Sequence, residues 1–375
     1  MKRKLRVLVV DDSALMRKLI TQILERDEAI EVVGTAMDGT FGLRKLEDLK
    51  PDVVTMDLDM PRMDGMAMLR QLTRSSRVPV IVVSALSTTG AHATFKALAL
   101  GAFDFVTKPK SSASADMEAI ADELIAKVKV AVQAGKPDVQ SIAVDTLPRV
   151  KKQLNRVRMR ATRIIAIGIS TGGPNALQML LSQLPADFPA GIVIVQHMPE
   201  GFTDLFARRL DECCAIEVKQ AASGDLIYAG RALIAPGNWH LKVRRMPLGD
   251  MAILSDEPRR NGHRPSADVL FSSVASEFGP DALGLIMTGM GEDGADALGQ
   301  IKAAGGLTIA QDEASCVVFG MPRAAIERGN VVRVASLDSL PALLMGQHDS
   351  RHPDLSRRDT THATDSQEKL CNSIR

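Results

Sequence analysis

Continuous apolar runs alternate with stretches of helical period in two blocks along the chain. In the first block the runs fall at 5–10, 32–36, 53–56, 80–83 and 103–106, separated by amphipathic stretches at 13–25, 40–49, 66–73 and 91–100, with a fifth at 117–132. Uninterrupted Val/Ile/Leu runs predict strands buried on both faces, hence a parallel sheet between helix layers. Five βα units in this span predict a small doubly wound (βα)5 domain over residues 1–130. The second block repeats the alternation. Its strand candidates are 164–169, 191–196, 232–235, 251–254, 283–287 and 307–310, and its helix candidates 175–184, 202–210, 266–278, 295–304 and 322–328. This predicts a larger three-layer α/β domain with a mainly parallel sheet over 163–346.

Between the blocks, 131–162 reads as a linker. It opens at Ala134-Gly135-Lys136-Pro137, and from Arg149 to Arg163 it carries seven basic residues and no acidic one. A charge run of this kind is ordinarily a solvated face. The tail, 347–375, is polar and reads as disordered.

Composition narrows the function classes. Lys+Arg is 46 and Asp+Glu 45, a net charge of +1, which excludes a globally basic nucleic-acid binder. Aromatics at 3% leave few platforms for stacking single-stranded bases. No apolar run approaches the ~20 residues of a membrane span, and Asp11-Asp12 interrupts the first run too early for an export signal. Cys213, Cys214, Cys316 and Cys371 show neither metal-ligand nor disulfide spacing. A reduced, cytoplasmic protein is expected, with no membrane insertion and no nucleic-acid partner.

Chemistry concentrates at predicted strand ends. Asp11-Asp12 closes the first strand and Asp57 the third, where doubly wound sheets bind ligands. Three converging carboxylates call for a cation, and oxygen-only ligands favour Mg²⁺. Lys108 follows the fifth strand, placed to pair with Asp57 or with a phosphoryl group on it, and Ser84 ends the fourth. Asp57 can then attack a phosphodonor to form an acyl phosphate. Asp12-Ser13 could by itself be only a helix cap. The whole constellation, carried by VVDDSALMRKLI, TMDLDMPRMDG, Ser84 and FDFVTKP, resembles the receiver domain of two-component response regulators. That resemblance implies Asp57 as phosphoacceptor. Asp11, Asp12, Asp57 and the backbone of Asp59 would hold Mg²⁺, Ser84 and Lys108 would sense the phosphoryl group, and Phe105 would be an aromatic switch.

In the second block, Gly168-Ile169-Ser170-Thr171-Gly172 satisfies G-x-S-x-G between a predicted strand and helix. Such a turn projects the serine above the sheet edge, although a capping serine among turn glycines would look the same. A nucleophile needs a base. Of the seven histidines, three lie in the tail and His92 in the first domain, leaving His197, His240 and His263. His197 follows the predicted strand 191–196 and so shares the edge with Ser170, making it the leading base. An orienting carboxylate is then required, and Asp293, after the predicted strand 283–287, also lies at a strand's carboxyl end. The same segment reads G-x-G-x-x-G from Gly289 to Gly294, with Asp312 further on, a literal dinucleotide fingerprint. Against that reading, Glu292-Asp293 would put two negative charges where a pyrophosphate must sit, and the motif comes late in the domain.

The segments IGISTGGPNAL, VIVQHMPEGFT, IAPGNWH, GHRPSADVLFSSVA, TGMGEDGADAL and GMPRAAIERG together resemble the catalytic domain of the chemotaxis response-regulator protein-glutamate methylesterases. The match departs at Ile169, where a smaller residue is common. By this resemblance Ser170 is the nucleophile, His197 the base, Asp293 its orienting partner, and Met290 supplies a backbone N–H to the oxyanion. It implies hydrolysis of glutamate γ-methyl esters on methyl-accepting chemotaxis receptors and deamidation of receptor glutamines. It also implies a chemotaxis histidine kinase as phosphodonor, and no cofactor at the hydrolase site. Three alternatives are a phosphorylation-dependent adaptor, a nucleotide-dependent enzyme built on Gly289–Gly294, and a DNA-binding regulator; the last is opposed by the lack of helix-turn-helix spacing.

Overall fold

The computed structural model describes residues 3–85, 87–108, 114–134 and 159–346. In the N-terminal unit five βα repeats follow one another: β1 (Leu5–Val10), α1 (Ala14–Leu24), β2 (Ile30–Ala36), α2 (Gly39–Leu49), β3 (Val53–Met56), α3 (Gly65–Ser75), β4 (Val80–Ser84), α4 (Thr88–Ala99), β5 (Asp104–Thr107) and α5 (Ser114–Ala134). Short polar side chains set the helix starts. Ser13, Asp38, Asp64 and Ser87 each accept a backbone N–H from the first turn of α1, α2, α3 and α4. All strands are parallel, in the order β2-β1-β3-β4-β5. The order reverses between β1 and β3, so a crevice opens beyond their carboxyl ends. Alternate residues of β1 serve two cores, Val7 and Val9 facing α1 residues such as Ile20 and Leu24, Leu8 and Val10 facing Met68 and Leu69 of α3.

The second unit contains β6 (Ile164–Ile169), α6 (Gly173–Leu181), β7 (Gly191–Gln196), α7 (Thr203–Cys213), β8 (Glu217–Gln220), β9 (Leu226–Ile227), β10 (Arg231–Ile234), β11 (His240–Arg244), β12 (Asp250–Ser255), α8 (Ala267–Phe278), β13 (Ala282–Ile286), α9 (Ala295–Ala303), β14 (Leu307–Gln311), α10 (Met321–Glu327), β15 (Arg333–Ala335) and α11 (Leu340–Leu344). Seven parallel strands run β15-β14-β13-β6-β7-β10-β8. Ile165, Ile167 and Ile169 of β6 pack with α6, α7 and α11, while Ile164 and Ala166 pack with α8, α9 and α10. This is the expected three-layer α/β arrangement.

Two expectations need correction. The run 251–254 is a strand, but it belongs to a separate antiparallel sheet, β11-β12-β9, rather than to the parallel one. The edge strands β8 and β15 were not expected, because only one residue of each is buried and neither carries an apolar run. Helix α5 runs to Ala134, and the chain re-enters the second unit by Met159, whose carbonyl accepts from Ala229 N–H at 3.1 Å. Residues 135–158 and the tail 347–375 lie outside the described residues. Arg163, just before β6, donates to the Leu344 carbonyl at the end of α11 at 2.5 Å, so the unit closes on its own start.

The two units meet through phenylalanines. Phe95 of α4 and Phe105 of β5 lie against Phe202 and Phe206, with Phe95–Phe206 centroids 5.4 Å apart. The Asn175 amide in α6 donates to the Leu98 carbonyl of α4 at 2.9 Å. Val317 and Val318 pack against the N-terminal core cluster that includes Val106, Leu124 and Val128.

Candidate active site

In the second sheet the chain runs outward from β6 to β7 and β10, then returns to β13 on the other side of β6. The carboxyl end of β6 is therefore a switch point, and Ser170 stands there. Pairing continues past the strands: Ser170 N–H donates to Thr288 O at 2.9 Å, and His197 N–H to Ile169 O at 3.1 Å. Ser170 is thus held between the chain leaving β13 and the chain leaving β7.

The turn after Ser170 tolerates only glycine. Gly172 has φ +79°, and a Cβ on it would lie 2.6 Å from Val317 Cβ. A Cβ on Gly173 would lie 1.9 Å from Gln196 Oε1. Gln196 Nε2 donates to both the Ser170 carbonyl (3.0 Å) and the His197 carbonyl (3.1 Å), so one buried amide ties the two residues together. Sequence reasoning missed this role. Its only signal was a glutamine at the end of an otherwise apolar strand.

His197 Nε2 lies 2.8 Å from Asp293 Oδ2. Its other ring nitrogen, Nδ1, is buried without a hydrogen-bond partner. With the proton on Nε2 directed at the carboxylate, Nδ1 carries the lone pair. No hydrogen bond joins the Ser170 hydroxyl to His197 among the described residues.

Asp293 sits at the N-terminus of α8. Ser266 Oγ donates to it at 2.6 Å and the Ala267 N–H at 2.6 Å, with Asn261 Nδ2 at 3.4 Å. Burial raises its pKa, but His197 and these donors outweigh that and hold it at about 2. Ser266 and Asn261 lie in GHRPSAD and the residues just before it, a stretch whose role the sequence left unspecified. His240, another candidate base, is fully buried. Its Nδ1 accepts the Ser266 N–H at 3.2 Å and its Nε2 faces Pro258 O at 3.1 Å, so it is structural.

Met290 follows Gly289, where a Cβ would lie 2.8 Å from Ser170 Cβ. The Gly289 carbonyl accepts from Gly320 and Met321, and its N–H donates to Val318 O at 3.0 Å, fixing the loop. The Met290 N–H has no backbone partner among the described residues.

At the switch point of the first sheet, carboxylate oxygens of Asp11, Asp12 and Asp57 all lie within 4.8 Å of one another. Lys108 Nζ lies 2.7 Å from Asp57 Oδ2 and 2.8 Å from Asp11 Oδ2. Burial raises the pKa of Asp57 and the Asp11 charge adds to it, while Lys108 opposes both. The Asp59 side chain is exposed and its N–H faces Asp57 Oδ1 at 3.4 Å. Ser84 is buried with its hydroxyl turned to the Gly90 carbonyl (3.3 Å), so it contacts α4 rather than Asp57. Phe105 is buried against Phe202, and its carbonyl accepts from Lys127 Nζ at 2.6 Å. The donor set of three carboxylates beside one lysine suits a hard divalent cation.

Known proteins carry the same two-part arrangement. Residues 7–119 match the response regulator receiver domain family and residues 165–344 the CheB methylesterase family. A protein-glutamate methylesterase/protein-glutamine glutaminase of Koribacter versatilis is 68% identical over 92% of this chain and 96% of its own. A protein of the same name from Symbiobacterium thermophilum is 48% identical over 90% of this chain and 95% of its own. The crystal structure of the Thermotoga maritima CheB methylesterase catalytic domain is 39% identical, with a TM-score of 0.49 over 50% of this chain and 98% of its own. Two domain matches in this order, and relatives aligned along nearly their whole length, establish that the chain belongs to the CheB methylesterase family with an N-terminal receiver domain.

Proposed function

We propose that the chain is a phosphorylation-regulated protein-glutamate methylesterase that also deamidates glutamines, acting on methyl-accepting chemotaxis receptors. The observation that carries the chemistry is the His197–Asp293 pair, with an unpartnered Nδ1, at the strand end beside Ser170. Ser170 Oγ attacks the γ-carbonyl carbon of a methylated glutamate while His197 Nδ1 takes its proton. Asp293 accepts from Nε2–H and stabilises the imidazolium. The Met290 N–H donates to the oxyanion, a contribution of about 3 kcal/mol for one donor. The C–O bond to the methoxy group then breaks, His197 returns the proton, and methanol leaves. Water, deprotonated by the same imidazole, resolves the acyl-enzyme to glutamate. A glutamine amide follows the same course and releases ammonia.

Asp57 receives a phosphoryl group from a chemotaxis histidine kinase. Asp11, Asp12 and Asp57, with the Asp59 backbone, would hold Mg²⁺, which neutralises the carboxylates and the incoming phosphoryl oxygens. Lys108 then re-pairs with the phosphoryl group, Ser84 leaves Gly90, and the α4–β5 face loosens where Phe95 and Phe105 meet Phe202. Because α6 begins three residues after Ser170 and bonds α4 through Asn175, this loosening reaches the hydrolase site.

The test is methanol release from methyl-esterified receptor fragments, with and without a small phosphodonor and Mg²⁺. Release that rises with the donor supports both parts. Release indifferent to it removes the switch, and no release from protein phosphorylated on Asp57 removes the esterase.

A further inference from the structure

His263 takes no part in the steps above, yet its ring lies flat on that of His197, with centroids 3.9 Å apart and planes 3° from parallel. A loop built for the purpose delivers it. Arg260 and His263 exchange backbone hydrogen bonds of 3.0 and 2.9 Å around a tight turn whose central residues, Asn261 and Gly262, both have positive φ (+52° and +78°). That left-handed pair suits asparagine and glycine. The Asn261 side chain then donates to Asp268 Oδ2 at 2.6 Å and reaches Asp293 Oδ1 at 3.4 Å. The carboxylate that orients His197 from its edge therefore also anchors the loop that covers its face.

We propose that His263 is a positioning residue for His197: a flat ring that fixes the imidazole plane with Nε2 on Asp293 and Nδ1 free to take the serine proton, and whose π face meets the imidazolium formed when that proton arrives. The inference rests on the triad reading above. Two features support it. Rotating His197 about its Cβ–Cγ bond would break the stack and the Asp293 bond together, so the two contacts select one orientation. His263 also stays neutral: burial, then the neighbouring His197 charge and Arg259, lower its pKa to about 4 against the opposing pull of Asp293. A neutral ring face attracts a cation, whereas a second cation at this distance would repel it.

The contribution belongs to the chemical step, not to substrate binding. The test compares His263→Phe, His263→Leu and His263→Ala in the full-length protein, with His197→Ala alongside, by methanol release at saturating and subsaturating receptor fragment and by thermal midpoint. Phenylalanine keeps a flat uncharged ring and should hold kcat within about threefold of the parent. Leucine fills the space without a flat face, and alanine empties it. Both should lose kcat by on the order of 10- to 100-fold with KM within about twofold. Turnover of the leucine and alanine variants equal to the parent's overturns the proposal. So does a phenylalanine variant as slow as leucine at the same thermal midpoint. Undiminished turnover by His197→Ala would instead overturn the triad reading on which the proposal stands.

Discussion

The rings of Phe105 in the receiver domain and Phe202 in the catalytic domain stack 4.9 Å apart with planes 19° from parallel. Phe105 lies in β5, the strand that leads to Lys108, and Phe202 directly precedes α7. Phe105→Leu keeps apolar bulk but removes the stack. Basal methanol release should rise several-fold, and the further stimulation by a phosphodonor should shrink. Unchanged values of both would place the coupling elsewhere.

Ser170→Ala and His197→Ala each remove one member of the proposed triad. Methyl ester hydrolysis and glutamine deamidation should both fall by about 10⁴-fold or more, together and not separately. The thermal midpoint should barely move for Ser170→Ala, whereas His197→Ala also removes a partner of the buried Asp293 and should lower it. Loss of one activity with retention of the other would show two sites rather than one.

Asp293 links the site to acid stability. Its pKa falls from the ordinary 3.8 to about 2 in the folded protein. A lowered carboxylate pKa stabilises the fold above the unfolded value and gives that stability up as pH falls through the folded one. The Asp293 contribution, about 2 kcal/mol, should therefore disappear between pH 4 and pH 2. Asp293→Asn should lower stability at pH 7 and flatten the unfolding curve over that window. On the proposed mechanism it should also cut turnover by about 10⁴-fold.

Gln196 bonds the carbonyls of both Ser170 and His197. Gln196→Leu leaves two carbonyls without this donor. A cost of about 1–3 kcal/mol in unfolding free energy is expected, with kcat lowered more than KM is raised. Gly173→Ala should be worse than Gln196→Leu alone, since its Cβ would meet Gln196 Oε1 at 1.9 Å. Combining the two should restore part of the loss, which a double-mutant cycle on unfolding would reveal.

Asp57→Asn keeps the shape of the receiver pocket but cannot form an acyl phosphate. Stimulation by phosphodonor and Mg²⁺ should vanish while basal release persists. A variant still stimulated would show that the donor acts elsewhere.

Both central sheets were legible because strands buried on two faces declare themselves as unbroken apolar runs: 5–10, 53–56, 164–169 and 191–196 became β1, β3, β6 and β7 with the same bounds. The edges were not legible. Glu217–Gln220 and Arg333–Ala335 are half solvated, so nothing in their composition distinguishes them from loop. Residues 251–254 looked like one more central strand because hydrophobicity records burial and not which sheet provides it. At the sites, residues following strand ends could be placed on one edge from sequence, as with Ser170 and His197. Gln196, Ser266, Asn261 and His263 could not, because their contacts depend on backbone carbonyls, a helix terminus and a ring plane that only the folded chain brings together.

Arg163 and Leu344, joined at the two ends of the catalytic domain, give that domain a single doorway. The Arg163 side chain brings the two ends near each other at the start of β6, on the side of the sheet away from Ser170. A domain with coincident ends behaves as a cassette. Opened at a loop and rejoined through a bridge between its two ends, it should keep the strand ends that carry Ser170 and His197 in place.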